Sequence, residues 1–264
     1  MAEDSAPSSS MHPSFVGVIR QRERLRQKLA GIRHKIGIYS AKGGVGKTTV
    51  AVNMAYALSR RGFRVGLLDA DIDTPNISLF LGIDGKMEPT LPLKPLDVGG
   101  IKVASTAMLA ESSERPIIWR GPMIVKMLGE FFENTDWGEL DYLLIDLSPG
   151  TSDAPLTIMQ ILELDGFVIV TTPQRVAGIN SMRSGLMAKR LNAAILGVVE
   201  NMSEGEPSES TKRVAEALNA GVLGTIRLNA AFDLYSDAGK VAVFEDPSIL
   251  EEFDKIVERV INPG

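Results

Sequence analysis

The feature that most constrains this chain is a glycine-rich loop, Ala41-Lys42-Gly43-Gly44-Val45-Gly46-Lys47-Thr48-Thr49, set between two apolar runs of different period. KIGIYS (35–40) before it reads as a short buried strand, and the run after it reads as a helix through about Arg61. A strand, a loop of this composition and a helix together make a phosphate-binding turn. Gly43, Gly44 and Gly46 let the backbone turn tightly, so that its N–H groups, with that of Val45, converge on one anion. The helix start adds the positive end of its dipole, worth roughly 0.3–1 kcal/mol per nearby charge. Lys47 reaches the β- and γ-phosphates of a nucleotide, the Thr48 hydroxyl takes a Mg²⁺ position, and Thr49 is placed to contact the α-phosphate. The expected ligands are ATP and Mg²⁺.

Strands and helices alternate over the rest of the chain. RVGLLDA (64–70), IKVAS (101–105), YLLID (142–146), GFVIVTT (166–172), AILGVVEN (194–201) and VLGTI (222–226) read as strands. They are nearly continuous apolar runs, which a parallel sheet covered on both faces requires. Residues 117–135 and about 248–261 read as helices, the latter with Ile249, Phe253, Ile256 and Val260 on one face and mostly acidic residues elsewhere. The fold class is α/β: a doubly wound, mostly parallel sheet with helices on both faces, whose ligands sit at the carboxyl ends of the strands. Residues 1–14 are Ser- and Pro-rich and expected to be disordered. Residues 15–34 form a basic helical extension, and 35–264 form the nucleotide-binding domain. In the extension, Val18, Leu25, Leu29 and Ile32 share a face, and Arg20, Arg22, Arg24, Arg26 and Lys28 crowd the rest. Such a helix serves a membrane or nucleic-acid surface, or packs on the domain edge with solvated arginines; edge packing is the expected role.

Two acidic groups end strands. Asp69-Ala70-Asp71 follows RVGLL, and Asp146 follows YLLI. Asp146 and Asp69 are therefore candidates for orienting Mg²⁺, and Asp71 for positioning an attacking water. After Asp146 comes Leu-Ser-Pro-Gly-Thr-Ser-Asp, where the Gly150 N–H can sense a γ-phosphate and Asp153 can cap the next helix.

Composition narrows the partners. Of 264 residues none is cysteine, which removes disulfides, thiol nucleophiles and thiolate metal sites from the chain. His12 and His34 are the only histidines, too few for a histidine-rich metal site. The net charge is −5, and residues 204–264 carry twice as many acids as bases, which opposes DNA binding. No apolar run reaches the roughly 18 residues of a membrane span, and the acidic last helix would be repelled by anionic lipid. A cytoplasmic protein without stable membrane anchoring is expected.

The loop resembles that of the MinD/ParA group of ATPases, in which the first lysine, here Lys42, crosses a dimer interface to the partner's phosphates. VGLLDADI (65–72), IIWRGPM (117–123), DWGELDYLLIDLSPGTSD (136–153), GFVIVTTPQ (166–174) and ILGVVENMS (195–203) extend the likeness, over roughly residues 35–260, to the Mrp/ApbC-type iron–sulfur cluster carriers of that group. The resemblance implies a nucleotide-sandwich homodimer that hydrolyses ATP slowly, with Lys42, Lys47, Asp71 and Asp146 in the catalytic set and Asn201 hydrogen-bonded to adenine. The chain departs from the family at Ala41 for glycine, Asp73-Thr74 for Tyr-Gly, and Ser148 and Arg227 for proline. Above all, ENMS is followed by EGEPSES, where the family carries Cys-Pro-x-Cys, whose two cysteines hold a bridging cluster. Without cysteine the chain cannot ligate a cluster in that manner, and the same absence excludes a nitrogenase-iron-protein-like reductase. Two uses of one ATP-driven switch follow: an accessory in iron–sulfur assembly that works with a cysteine-bearing relative or assembly proteins, or a positioning ATPase acting on a surface or protein cargo.

Overall fold

The computed structural model describes residues 13–72, 74–88, 90–109 and 121–262. The sequence reading of residues 1–12, of Asp73 and of 117–120 lies outside them. In chain order the elements are α1 (Pro13–Lys28), β1 (Ile32–Ser40), α2 (Lys47–Arg60), β2 (Val65–Ala70), α3 (Ile77–Phe80), β3 (Leu96–Val98), β4 (Ile101–Ser105), α4 (Gly121–Asn134), β5 (Leu140–Leu147), α5 (Asp153–Ile161), β6 (Gly166–Thr171), α6 (Arg175–Arg190), β7 (Ile195–Ser203), α7 (Glu209–Ala217), β8 (Val222–Arg227), α8 (Ala231–Asp237), α9 (Ala242–Glu245) and α10 (Pro247–Ile261).

The strands form one sheet in the order β3-β4-β2-β5-β1-β6-β7-β8. Only the β3–β4 pair is antiparallel. β1 is central. From it the chain winds outward to β2, β3 and β4, returns through β5, then crosses to β6, β7 and β8. That reversal opens a crevice at the carboxyl end of β1, where ligands of doubly wound sheets bind. Helices cover both faces, which is why β2 and β6 are buried along their whole length. Tyr39, Tyr56, Phe132, Phe167 and Phe253 are the bulkiest fully buried side chains.

Two elements differ from the sequence reading. β1 starts at Ile32, so Ile32 is a strand residue paired in register with Leu140 and does not share the face of α1. Val18 is also off that face, at 40% exposed. Among the described side chains, Leu25 and, just past the helix, Leu29 are the buried apolar ones that seat α1, which packs on α4 and α5. Its arginines meet acids there: Arg24 pairs with Glu133 at 3.1 Å and Arg22 with Glu163 at 3.3 Å. Each such surface pair is worth about 0–1 kcal/mol, and with Arg26, which approaches Glu163 at 3.9 Å, they turn part of the basic face toward the domain edge. The second difference is β3, hidden in a proline-rich stretch. It forms a hairpin with β4 through Gly99 and Gly100, both at positive φ, the backbone of a two-residue turn that matches strand twist.

The last helix is as expected: Ile249, Phe253, Ile256 and Val260 are buried, and Asp254 and Glu258 receive Arg61, the residue that caps the end of α2. Among the described residues no helix is long and apolar enough to cross a membrane.

Candidate functional site

Three strand ends meet below the glycine loop. β1 runs into the loop, β2 ends on Asp69 and Ala70, and β5 ends on Asp146 and Leu147. β2 and β5 are adjacent and parallel, and their register sets Asp69 directly opposite Asp146. The two carboxylates are therefore side-by-side neighbours, 0% and 1% exposed. Buried like charges are costly unless a cation answers them. Lys47 answers one: its Nζ lies 2.6 Å from Asp146 Oδ1, and it is itself 7% exposed. Thr48 Oγ1 donates to Asp146 Oδ2 at 2.7 Å, so the first turn of α2 is tied to the end of β5 by both residues. Asp69 accepts from the backbone N–H groups of Asp71 and Ile77 and from Ser105 Oγ at the end of β4.

The proton affinities reflect this crowding. Burial, then the charge of Asp146, pushes Asp69 up to about 7; the Ile77 N–H, Lys47 and the Asp71 N–H pull the other way. Asp146 is also raised, by burial above all, against the opposing pull of Lys47. Two buried, destabilised carboxylates beside a threonine hydroxyl form a set that a hard divalent cation suits. Mg²⁺ takes one or two carboxylates and completes its shell with water and phosphate oxygens. No group of three or more His, Cys, Asp or Glu side chains able to hold a metal occurs among the described residues.

The loop has the backbone its glycines predict. Gly44 and Gly46 are at φ of 76° and 79°, which side chains rarely tolerate. Gly46 is also sterically bound, because a Cβ there would fall 2.1 Å from Asn201 Nδ2. Gly43 and Gly44 are exposed, and Val45 is buried. Lys42 is half-buried, and its ammonium has no partner among the described residues. Asn53 Nδ2, one turn further along α2, donates to the Thr49 carbonyl.

The remaining candidates gather round this centre. Asp71 is 6% exposed, and its Oδ1 accepts from Ser148 Oγ at 3.1 Å and from the Thr74 N–H at 3.3 Å. Gly150 is held at both ends: its N–H donates to the Ser40 carbonyl, and its carbonyl accepts from Tyr39 Oη at 2.6 Å. The amide read as a phosphate sensor therefore already has an acceptor in this structure, and it could donate to a γ-phosphate only by releasing the Ser40 carbonyl. Asn201 is buried, and its Nδ2 donates to the Val45 carbonyl at 2.8 Å, which brings the adenine candidate onto the loop itself. Asp153 is the first residue of α5 rather than its cap; Ser152 holds the cap position, without a side-chain cap bond.

Sequence reasoning missed Ser105, Ser148 and Glu200. Glu200, 0% exposed in the second half of β7, accepts from Ser203 Oγ at 2.8 Å, from the Ser208 N–H at 3.0 Å and from Ser208 Oγ. Ser208 also caps α7 by accepting from the Thr211 N–H. A carboxylate–hydroxyl network therefore closes the turn where the resemblance expects cysteines. A serine three and eight residues beyond a glutamate in the second half of a strand was the available signal. The 770 Å³ groove lined by Val18, Ile19, Met159, Leu162 and Leu191 lies at the other end of the strands, beside the starts of β6 and β7. Chemistry rather than cavity volume locates the site.

The sequence profile of the ParA family, described as NUBPL iron-transfer P-loop NTPase, matches residues 31–261. An iron-sulfur cluster carrier protein from Methanocaldococcus jannaschii is 40% identical over 98% of this chain and 94% of its own length. Its counterpart from Aquifex aeolicus is 39% identical over 90% of this chain and 71% of its own length. Among solved structures, a nucleotide-binding protein in complex with ADP from Archaeoglobus fulgidus superposes with a TM-score of 0.74 at 35% identity, covering 88% of this chain and 96% of that one. The cell division ATPase MinD of Pyrococcus furiosus, at 24% identity, TM-score 0.65 and coverage of 88% and 99%, shares the fold.

Proposed function

The chain belongs to the ParA-type family of NUBPL iron-transfer P-loop NTPases, and on that premise we propose that it is a slow, dimeric Mg-ATP hydrolase serving iron–sulfur cluster assembly without holding a cluster by its own thiolates. The observation that carries the ATPase reading is the constellation of Lys47 and Thr48 on Asp146, with Asp69 in register beside it. These residues sit at the mouth of a loop whose backbone can cradle phosphates. Lys47 has a long, flexible stem and can exchange Asp146 for the β- and γ-phosphate oxygens. Thr48, Asp69 and Asp146 would hold Mg²⁺, which when bound neutralises phosphate charge. Asp71 orients the attacking water. Gly150 reports the γ-phosphate to the segment after β5 by exchanging its bond to the Ser40 carbonyl for one to phosphate, and Asn201 contacts adenine. Lys42, whose ammonium has no partner in its own chain among the described residues, supplies charge to the partner subunit's nucleotide. A cation delivered across an interface in this way is worth on the order of 10³–10⁵ in rate.

The cargo reading rests on kinship together with the absence of cysteine. A chain with no thiolate serves a cluster through others: a cysteine-bearing relative or assembly proteins that read whether the dimer is open or closed. We expect a cytoplasmic protein that binds neither DNA nor membrane, because Arg22, Arg24 and Arg26 of the basic helix α1 are paired with Glu163 and Glu133. The test is affinity capture with Asp71→Ala held in Mg-ATP against an ADP control, with bound proteins identified by mass spectrometry. Enrichment of iron–sulfur assembly proteins or a cysteine-bearing relative in the ATP arm is the expected result. Enrichment of membrane, chromosome or unrelated cargo proteins would contradict the assembly role and leave a positioning ATPase.

A further inference from the structure

Ser148 stands where the family resemblance leads one to expect proline, and it is 2% exposed. Its Oγ donates to Asp71 Oδ1 at 3.1 Å, joining the segment after β5 to the segment after β2. The Thr74 N–H reaches the same oxygen at 3.3 Å. Both donors fall on Oδ1, and among the described residues none meets Oδ2. A carboxylate has about four lone-pair sites over two oxygens. Holding one oxygen from two sides fixes the plane of the group and leaves the other free to accept. Hydrogen bonds to an ionised acceptor are roughly twice as strong as neutral ones, so the hydroxyl is a firm tether. A proline at 148 has no side-chain donor and could make no such link.

We propose that Ser148 is a positioning residue for hydrolysis: its hydroxyl holds Asp71 so that Oδ2 accepts a hydrogen bond from the attacking water. The proposal rests on the reading of Asp71 as the water-orienting group. The water oxygen forms its bond to the γ-phosphorus, and the bond from that phosphorus to the bridging oxygen breaks, its electron pair leaving with ADP. One water proton passes by Oδ2 to solvent, and the other stays on the released phosphate. Ser148 lies two residues before Gly150, which is tied by both backbone groups to the end of β1. A γ-phosphate that takes the Gly150 N–H from the Ser40 carbonyl would loosen this tie, and the change would reach Asp71 through a single hydroxyl. Asp71 is aligned when the segment is in place and released when it moves.

The experiment compares kcat and ATP dissociation constants of the wild-type chain, Ser148→Ala, Ser148→Thr and Asp71→Asn. Ser148→Ala should lower kcat roughly tenfold, the equivalent of about 1.4 kcal/mol in the barrier, with ATP affinity within about twofold of wild type. Ser148→Thr keeps the hydroxyl and should keep most of the rate. If Ser148→Ala does not fold, Ser148→Val against Ser148→Thr makes the same comparison between side chains of similar shape. An unchanged kcat in Ser148→Ala, with Asp71→Asn inactive, overturns the role of Ser148 and leaves Asp71 standing. Loss of ATP affinity at constant kcat also overturns it, since that is what a purely structural serine would give. A wild-type chain that binds ATP but does not hydrolyse it removes the ATPase reading, and this proposal with it.

Discussion

Replacing Lys47 by methionine keeps the length of the side chain and removes only its charge. The structure sets what that costs. Lys47 and Asp146 are 2.6 Å apart at 7% and 1% exposure, and Asp69 and Asp71 already press Asp146 toward its neutral form or feel its charge. Without the ammonium, Asp146 keeps only the Thr48 hydroxyl as a donor. Leaving a buried charge without its partner typically costs about 3–5 kcal/mol. For a domain of this size each kcal/mol shifts Tm by roughly 2–4 °C, so a fall of about 6–20 °C is expected in the absence of nucleotide. Thermal unfolding followed by circular dichroism reads the stability, and titration calorimetry reads ATP binding, which should be lost. The stability loss should shrink as the pH falls. Burial already raises Asp146, and losing Lys47 raises it further, so acid restores a neutral side chain. The double variant Lys47→Met/Asp146→Asn should recover most of the Tm without recovering ATP binding. A single variant within about 1 kcal/mol of wild type, or a double variant as unstable as the single, would refute the argument that the loop is built on a buried ion pair.

Lys42→Ala should bind ATP with near wild-type affinity and lose hydrolysis; unchanged turnover in a phosphate-release assay would remove the role of Lys42 across a dimer. Asp69, raised from an ordinary 3.8 to about 7, favours the folded state in its protonated form. That contribution is fully present below about pH 4 and is lost as pH rises through about 7. The Tm of the protein without nucleotide should therefore gain a downward slope between about pH 4 and 7 that Asp69→Asn flattens, and an identical slope in the variant would assign it elsewhere. Glu200→Ala strips the main acceptor from buried Ser203 and half-buried Ser208, leaves the hydroxyls only their longer contacts to the Glu206 carbonyl and Thr211, and should cost about 1–3 kcal/mol in urea unfolding. A loss below about 0.5 kcal/mol would mean that the turn at 203–208 does not depend on it.

The parts of this molecule that were legible in the sequence are those where local pattern and global fold agree. Continuous apolar runs ending in Asp69 and Asp146 were strands because both faces of the sheet are covered, and the loop at 41–49 could be placed because a strand and a helix bracket it. Register was not legible. That Asp69 stands opposite Asp146 depends on β5 returning between β2 and β1. Contacts across distant segments were equally hidden: Ser148 to Asp71 and Asn201 to Val45 join residues 77 and 156 positions apart. β3 escaped because prolines around it masked a three-residue edge strand, although the Gly99-Gly100 pair marked its turn. Ile32 was misread because the apolar spacing of α1 runs on by chance into β1, and only the turn after Leu29 separates them.

The central claim is that the cradle around Lys47 and Asp146 binds Mg-ATP and that Asp71 drives its hydrolysis. The direct measurement is phosphate release and ATP binding by the full chain with Mg²⁺, beside Asp71→Ala under the same conditions. The account predicts slow turnover by the wild type, and a variant that still binds ATP but releases no phosphate above background. Failure of the wild type to bind ATP, or equal turnover in the two proteins, would contradict it.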